Sequence, residues 1–157
     1  KFIKGKEHVK KYKGNWEFTI KLNDKKLLAK TKEIKMDTTM ELPDKVKVQF
    51  IKMRYNIIGV KLYCTIYDPN GYLNDRYLLI KGQDQEGKKV VFGVSNFWQV
   101  KDGIWEGYYQ EEEGYRMSGE NGRLKLQIFI AEIPKNTKTE KQEEGTPYGE
   151  SFVVEYE

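Results

Sequence analysis

The chain has 157 residues, of which 38% are hydrophobic and 13% aromatic, so it can form the core of one domain and is unlike a disordered composition. Its net charge of +4 comes from the first 14 residues, where six lysines accompany Glu7, and the rest of the chain is close to neutral. A nucleic-acid-binding protein carries its basic residues on the folded body, so this distribution argues against such a partner.

The uneven charge also suggests how the chain is organised. We expect residues 1–14 to be a lysine-rich connector or tail, and residues 15–157 to form a single domain. The sequence contains no apolar run of the roughly 18 residues that span a bilayer, and no signal peptide.

Apolar residues recur at every second position along the first half of the chain, a pattern typical of strands with one buried face. The pattern predicts strands at residues 16–22, 31–42, 46–50 and 58–67. Residues 23–35 are the one helical alternative, but this stretch lacks a stop signal at its C-terminal end.

Turn signals separate the later strands. Asp68-Pro69-Asn70-Gly71 combines a fixed proline φ with an Asn-Gly pair, and Asp102-Gly103 predicts another tight turn. Between the turns we predict strands at residues 76–81, 88–94, 105–110, 115–118, 124–130 and 152–156. Residues 135–146 are polar and are expected to form a loop. Nine or ten short strands predict an all-β fold, an antiparallel β-sandwich of immunoglobulin-like or related type.

Residues for nucleophilic or metal chemistry are scarce. His8 is the only histidine and lies in the lysine-rich start, while Cys64 is the only cysteine and lies in phase with the apolar residues of its strand. One histidine and one cysteine do not make a zinc site, and no glycine cluster matches a phosphate-binding motif. The sequence therefore predicts no catalytic, cofactor-binding or metal-binding residue, and a non-enzymatic domain.

Two acidic patterns leave alternatives open. Asp68, Asn70, Asn74 and Asp75 form an oxygen-rich run that resembles a calcium site, but they lack the glycine and distal glutamate of an EF-hand loop. A small hydrolase would use paired carboxylates such as Asp84 and Glu86. None of these acids lies in an apolar stretch that would raise its pKa, so ordinary turn residues explain them better.

An aromatic stretch is the most suggestive feature outside the predicted core. Tyrosine and tryptophan are common on surfaces that bind proteins or carbohydrates. In strand phase Trp105 and Tyr109 share one face, and Tyr108 lies on the other. The alternative is that these side chains fill the core and its rim. The candidate interaction surface comprises Trp98, Trp105, Tyr108, Tyr109 and Tyr115.

Three segments together suggest a family. They are Gly14-Asn15-Trp16-Glu17-Phe18-Thr19-Ile20, Lys30-Thr31-Lys32-Glu33-Ile34-Lys35-Met36 followed by the strand at 58–67, and Asp84-Gln85-Glu86-Gly87-Lys88. Their order resembles that in extracellular all-β domains of Gram-positive membrane proteins similar to anti-sigma factors. The resemblance covers residues 14–157 and brings no catalytic or cofactor residues.

The resemblance implies a location and a role. It implies a domain on the outer side of the membrane, anchored by an upstream transmembrane helix, that senses or contacts a protein or another ligand of the cell envelope. The alternative is a β-sandwich that binds carbohydrate or cell wall, for which the aromatic stretch at 97–115 is the support.

Overall fold

The computed structural model describes residues 31–56, 59–112, 121–133 and 145–157. Several sequence predictions lie outside these residues. They are the lysine-rich tail at 1–14, the strands at 16–22 and 115–118, the greater part of the helical alternative at 23–35, and most of the loop at 135–146.

The described residues form eight strands and one short 3-10 turn, Pro43–Lys45. The strands are β1 (Lys32–Glu41), β2 (Lys47–Asn56), β3 (Gly59–Tyr67), β4 (Arg76–Asp84), β5 (Lys89–Lys101), β6 (Ile104–Glu111), β7 (Gly122–Glu132) and β8 (Thr146–Tyr156). Residues 32–35 belong to β1, so the described end of the helical alternative is a strand. Within these residues no helix is long and apolar enough to cross a membrane.

All eight strands belong to one antiparallel sheet in the order β1-β2-β3-β6-β5-β4-β7-β8. The sheet curls until its two outermost strands, β1 and β8, lie against each other. The all-β antiparallel prediction is confirmed. The described strands form a nearly closed barrel and do not support an immunoglobulin-like sandwich of nine or ten strands. The sequence pattern could not distinguish the two architectures, because a strand alternates between a buried and an exposed face in a sandwich and in a barrel alike.

The inner face of the curled sheet is filled by side chains. Alternate residues of β3 and β7 are buried there, as are Val48, Phe50, Met53 and Tyr55 of β2 on the two sides of its bulge, with partners from β4, β5, β6 and β8. Phe50 and Phe152 stack across the interior with ring centroids 4.8 Å apart. The largest fully buried side chains are Tyr109, Tyr156, Phe50, Phe92 and Met53. The interior is therefore a packed core, as expected for a barrel of eight strands.

Side chains close the seam between β1 and β8. Tyr55 on β2 donates a hydrogen bond from its hydroxyl to the backbone carbonyl of Glu157, and its ring meets Tyr156 edge-on at 5.4 Å between centroids. Met40 on β1 approaches Gly149 on β8, with its Cε 3.3 Å from the position of a Cβ on that glycine. Side chains of β1 and β2 thus contact β8, which is not a neighbour of either strand in the hydrogen-bonded order of the sheet.

Two aspartates fix the turns that flank β4. The carboxylate of Asp68 accepts hydrogen bonds from the backbone N–H groups of Tyr72 and Leu73, at 2.8 and 2.9 Å. The carboxylate of Asp84 accepts hydrogen bonds from the N–H groups of Glu86 and Lys88, each at 2.9 Å. Both aspartates are buried. Aspartate favours turns because its side chain satisfies local backbone donors, as it does here.

Candidate functional site

The sheet is split where β4 meets β5. These strands pair only from Ile80 opposite Phe92 to Gln83 opposite Lys89. Residues 76–79 of β4 then continue beside β7, while residues 93–101 of β5 continue beside β6. Beyond Ile80 and Phe92 the two strands are no longer paired with each other, and each is held by its other neighbour, β7 for β4 and β6 for β5. The split leaves a gap at one end of the barrel.

The loop between β3 and β4 forms one wall of this gap. The N–H of Asp68 donates to the carbonyl of Gly103 in the β5–β6 turn at 2.7 Å, and the N–H of Ile133 donates to the carbonyl of Asp75 at 2.9 Å. The loop is therefore tied to the strands on both sides of the split. The carboxylate of Asp68 holds the backbone of Leu73, and the Leu73 side chain faces the gap.

The gap contains a cleft of about 220 Å³, which we call the Trp105 cleft. The core residues Ile66, Leu78 and Tyr109 form its floor, and Val94 and Phe97 of β5 lie at its rim. Trp105 is 37% exposed and Val94 is 54% exposed, so the cleft opens to solvent beside them. The residues that define it are Ile66, Leu73, Leu78, Val94, Phe97, Trp105 and Tyr109, together with Tyr77 and the polar Asp68, Asn74 and Arg76.

The charged groups in the lining already have partners within the protein. Asp68 accepts the two loop hydrogen bonds described above. Arg76 donates from Nη1 to the Tyr72 carbonyl at 3.0 Å and to the Asp75 carboxylate at 2.6 Å, and its guanidinium lies over the Tyr72 ring. The Trp105 cleft therefore presents a mainly apolar surface, in which Asp68 is held by backbone N–H groups and Arg76 is paired with Asp75.

A glycine allows Phe97 to reach the cleft. Gly107 lies opposite Phe97 in the β5–β6 pair, and a Cβ on Gly107 would lie 2.6 Å from the Phe97 ring. Without that side chain, Phe97 packs across β6 and meets Tyr109 edge-on, with centroids 5.1 Å apart. Phe97 thus caps the core and leaves Trp105 as the outermost aromatic residue of the cleft.

The predicted interaction surface is divided between the two faces of the sheet. Trp105 and Tyr109 lie on the inner face, opposite Ile66 and Leu62 of β3, while Tyr108 lies opposite Tyr63 on the outer face. Tyr109 is only 1% exposed. Tyr115 lies outside the described residues. The structure therefore brings Trp105 and Tyr109 together at one cleft and separates Tyr108 from them.

The outer face carries a second aromatic group. Tyr63 and Tyr108 have ring centroids 5.3 Å apart, and the ammonium of Lys61 lies 4.3 Å from the centre of the Tyr108 ring. Hydrogen bonding with Ser95 and Lys61 lowers the pKa of Tyr108 below its usual range. Trp98 lies opposite Glu106 and is 47% exposed. This face offers exposed aromatic rings beside lysines on a convex surface.

Cys64 and Tyr109 are buried side by side in the core. Burial raises the pKa of the Cys64 thiol to about 12 and raises the pKa of Tyr109 well above its usual value. A thiol reacts as its thiolate, so a raised pKa suppresses its reactivity. The sequence-based assignment of Cys64 as a small buried core residue is confirmed by its 1% exposure.

The raised pKa of Cys64 predicts how the thiol reacts. At pH 8 the folded protein should show no modification of Cys64 by a thiol-specific disulfide reagent on a timescale of minutes, because the side chain is buried and protonated. In denaturant the thiol should react at once, since an exposed cysteine has a pKa of about 8.5. The absorbance of the released thiolate measures both states. Rapid modification of the folded protein would contradict the assignment.

The acids suggested as alternatives have structural partners. Asp84 holds its turn, Asp68 holds the β3–β4 loop, and Asp75 pairs with Arg76. The Asn70 side chain donates to the carbonyl of Asp44 at 3.0 Å. In the described part of the chain, no three histidine, cysteine or acidic side chains come together as metal ligands would.

A larger open groove of about 760 Å³ lies on the outer surface of β4, β5 and β7. Lys81, Lys89 and Lys125 line it, and the Lys81 ammonium lies 4.9 Å from the centre of the Phe129 ring. Long lysine side chains keep their ammonium groups in water, so this groove is a solvated surface. The smaller Trp105 cleft has the core as its floor and contains two of the predicted aromatic residues, so we take it as the candidate site.

Sequence reasoning missed several residues of this site. Val94, Leu73 and Leu78 look like ordinary strand or loop residues, and only the split between β4 and β5 brings them together. Phe97 belongs to the aromatic stretch, but the predicted interaction surface did not include it. Gly107 between Trp105 and Tyr109 was the one local signal, because a glycine inside a strand indicates close approach by another group.

Comparison with known protein families, with curated proteins and with solved structures gives no match.

Proposed function

We propose that this domain is a non-enzymatic binding domain that contacts a partner protein through the Trp105 cleft. The observation that carries the proposal is the split between β4 and β5, which places Trp105 and Val94 at the open rim of an apolar cleft. Exposed tryptophan beside a pocket is typical of the residues that dominate binding energy at interfaces.

The proposal includes a place for the domain in the cell. Its resemblance to extracellular domains of anti-sigma-factor-like membrane proteins supports a location at the outer side of a bacterial membrane, with sensing or protein contact at the envelope as its role. Attachment would come from a transmembrane helix upstream of Lys1. The catalytic alternative, which paired Asp84 with Glu86, has less support because the Asp84 carboxylate accepts backbone hydrogen bonds within its own turn.

Photo-crosslinking tests the proposed surface. A benzophenone amino acid replaces Val94 at the rim of the cleft, and a matched variant carries it at Val153, an exposed valine on the outer face of β8. After irradiation with cell envelopes of the source bacterium, we expect a discrete cross-linked protein from the Val94 variant alone. Adding Trp105→Ala should reduce the yield, because the cleft would lose its outermost aromatic wall.

Two other outcomes would count against the proposal. Equal products from the Val94 and Val153 variants would show that the cleft has no privileged contact. A Val94 product that contains wall polymer would favour the carbohydrate-binding alternative. That alternative is also supported by the exposed rings of Trp98 and Tyr67 on the outer face, and it predicts that Trp98→Ala reduces sedimentation of the protein with purified cell wall.

A further inference from the structure

The split between β4 and β5 exposes backbone as well as side chains. Along an antiparallel strand, every second residue directs its N–H and C=O toward the same neighbour. Residues 93–101 of β5 use one set of these groups to pair with β6. The other set points toward β4, whose ladder with β5 ends at Phe92. Among the described strands none pairs with this side of residues 93–101, which we call the open edge of β5.

A strand edge without a partner strand specifies its ligand more closely than an apolar cleft does. Its N–H and C=O groups pair with alternating backbone acceptors and donors of the ligand, which an extended peptide supplies and a sugar or a lipid does not. The open edge of β5 runs past the Trp105 cleft, because Val94 and Phe97 belong to both. A peptide on this edge would direct alternate side chains toward the cleft.

The lining of the cleft indicates which side chain fits. Asp68 and Arg76 are the charged residues among those that define it, and both are engaged within the β3–β4 loop. A charged side chain in the cleft would have to compete with these existing contacts. The volume of about 220 Å³ and the walls formed by Trp105, Phe97 and Leu78 suit one large apolar side chain.

The length of the edge favours a peptide over a second copy of the chain. The pairing of β5 with β6 is interrupted between Val94 and Asn96 and again between Gln99 and Lys101. Bulges limit regular pairing, so the uninterrupted stretch takes a strand of roughly four residues, about 14 Å long. Stable dimer interfaces bury about 1,200–2,000 Å². Such a short edge suits a linear segment that is held mainly by one anchor.

We infer that the partner contributes an extended segment, which adds a strand to the open edge of β5 and places one apolar side chain in the Trp105 cleft. The inference rests on the proposed function and specifies its partner. Main-chain hydrogen bonds supply part of the affinity, and the cleft selects the anchor residue. Segments with apolar residues at alternate positions and no proline at the paired positions are the expected ligands.

A random library of displayed peptides, about ten residues each, tests the inference with the full chain as the target. The strongest binder is then synthesised as a free peptide. N-methylation of an amide that bonds to β5 should weaken binding about tenfold, whereas N-methylation of the intervening amides should have little effect. Trp105→Ala should weaken binding by about tenfold or more, and Ile51→Ala, an exposed residue on β2, should not.

Other results would overturn the inference. They are the recovery of no peptide, N-methyl effects that do not alternate, or amide chemical-shift changes away from residues 93–101. Dimers of the chain that Trp105→Ala dissociates would assign the edge to a second copy. If cross-linking from Val94 still captures a protein in any of these cases, the proposed function stands and only strand addition fails. If cross-linking from Val94 also captures no protein, both the proposed binding function and the strand addition are wrong.

Discussion

Replacing Tyr109 with alanine should lower the free energy of unfolding by about 4 kcal/mol, whereas Trp105→Ala should lower it by about 1 kcal/mol. Both residues lie on the inner face of β6, but Tyr109 is 1% exposed and Trp105 is 37% exposed. Removing Tyr109 would leave a cavity between Leu62, Cys64 and Phe97, while removing Trp105 widens a cleft already open to water. Urea denaturation followed by far-UV circular dichroism measures both changes.

A conservative variant separates packing from the hydroxyl group. Tyr109→Phe keeps the ring, so it should cost less than about 1 kcal/mol if packing dominates. Similar losses for Trp105→Ala and Tyr109→Ala would contradict the placement of Tyr109 in the core. A loss of partner binding in Trp105→Ala with stability nearly unchanged would instead agree with the two roles that we assign to these neighbours.

Replacing Gly82 with alanine should destabilise the fold by about 3 kcal/mol. A Cβ on Gly82 would lie 1.9 Å from the carbonyl oxygen of Lys125 and 3.0 Å from the Cα of Leu126. These are backbone atoms of β7 in the ladder with β4, so they cannot move aside without breaking neighbouring hydrogen bonds. The midpoint of urea denaturation reports the loss.

Gly87→Ala is the matched control for this substitution. Nothing lies within 4 Å of a Cβ on Gly87, but its φ of +78° is a conformation that alanine adopts at a cost of about 1–2 kcal/mol. Gly87→Ala should therefore destabilise the protein less than Gly82→Ala does. The reverse order would show that β4 and β7 are more loosely paired than the contacts of Gly82 indicate.

Local sequence patterns predicted most of the described strands but not how they are joined. The alternation through Val60, Leu62 and Cys64 correctly marks the buried face of β3, and Asp68-Pro69-Asn70-Gly71 correctly marks its end. These signals depend on side-chain direction and turn conformation, which are local. The choice between a sandwich and a nearly closed barrel depends on β3 pairing with β6 and β4 with β7. No local pattern encodes those pairings.

Strand lengths were underestimated for a related reason. The prediction ended the strand that begins at Val46 at Phe50 and the strand after Gly87 at Val94, whereas β2 runs to Asn56 and β5 to Lys101. In both strands the pairing register shifts near the predicted end, between Phe50 and Lys52 and between Val94 and Asn96. A bulge adds one residue and interrupts the two-residue period, so a continuing strand looks as if it stops.

The candidate site was only partly predictable. The aromatic stretch contained Trp105 and Tyr109, and their shared face follows from their spacing. How deeply each residue is buried does not follow from this spacing. The burial of an inward-facing side chain depends on how far along the barrel axis it lies. Tyr109 lies opposite Leu62 in the core, whereas Trp105 lies four residues away along β6, opposite Ile66, at the end of the barrel where β4 and β5 are no longer paired. The open edge of β5 arises from divergence of two strands, which side-chain periodicity does not record.

The pairing order also has a consequence for synthesis on the ribosome. β1, β2 and β3 form adjacent hairpins, so they can associate soon after they emerge. The ladder between β3 and β6 has to wait until the chain beyond Ile104 has left the exit tunnel, and β4 waits longer still for β7. During that interval the apolar residues of β3 lack their eventual neighbour. The nascent chain then exposes a surface that suits holding chaperones, and its folding yield should depend on elongation rate.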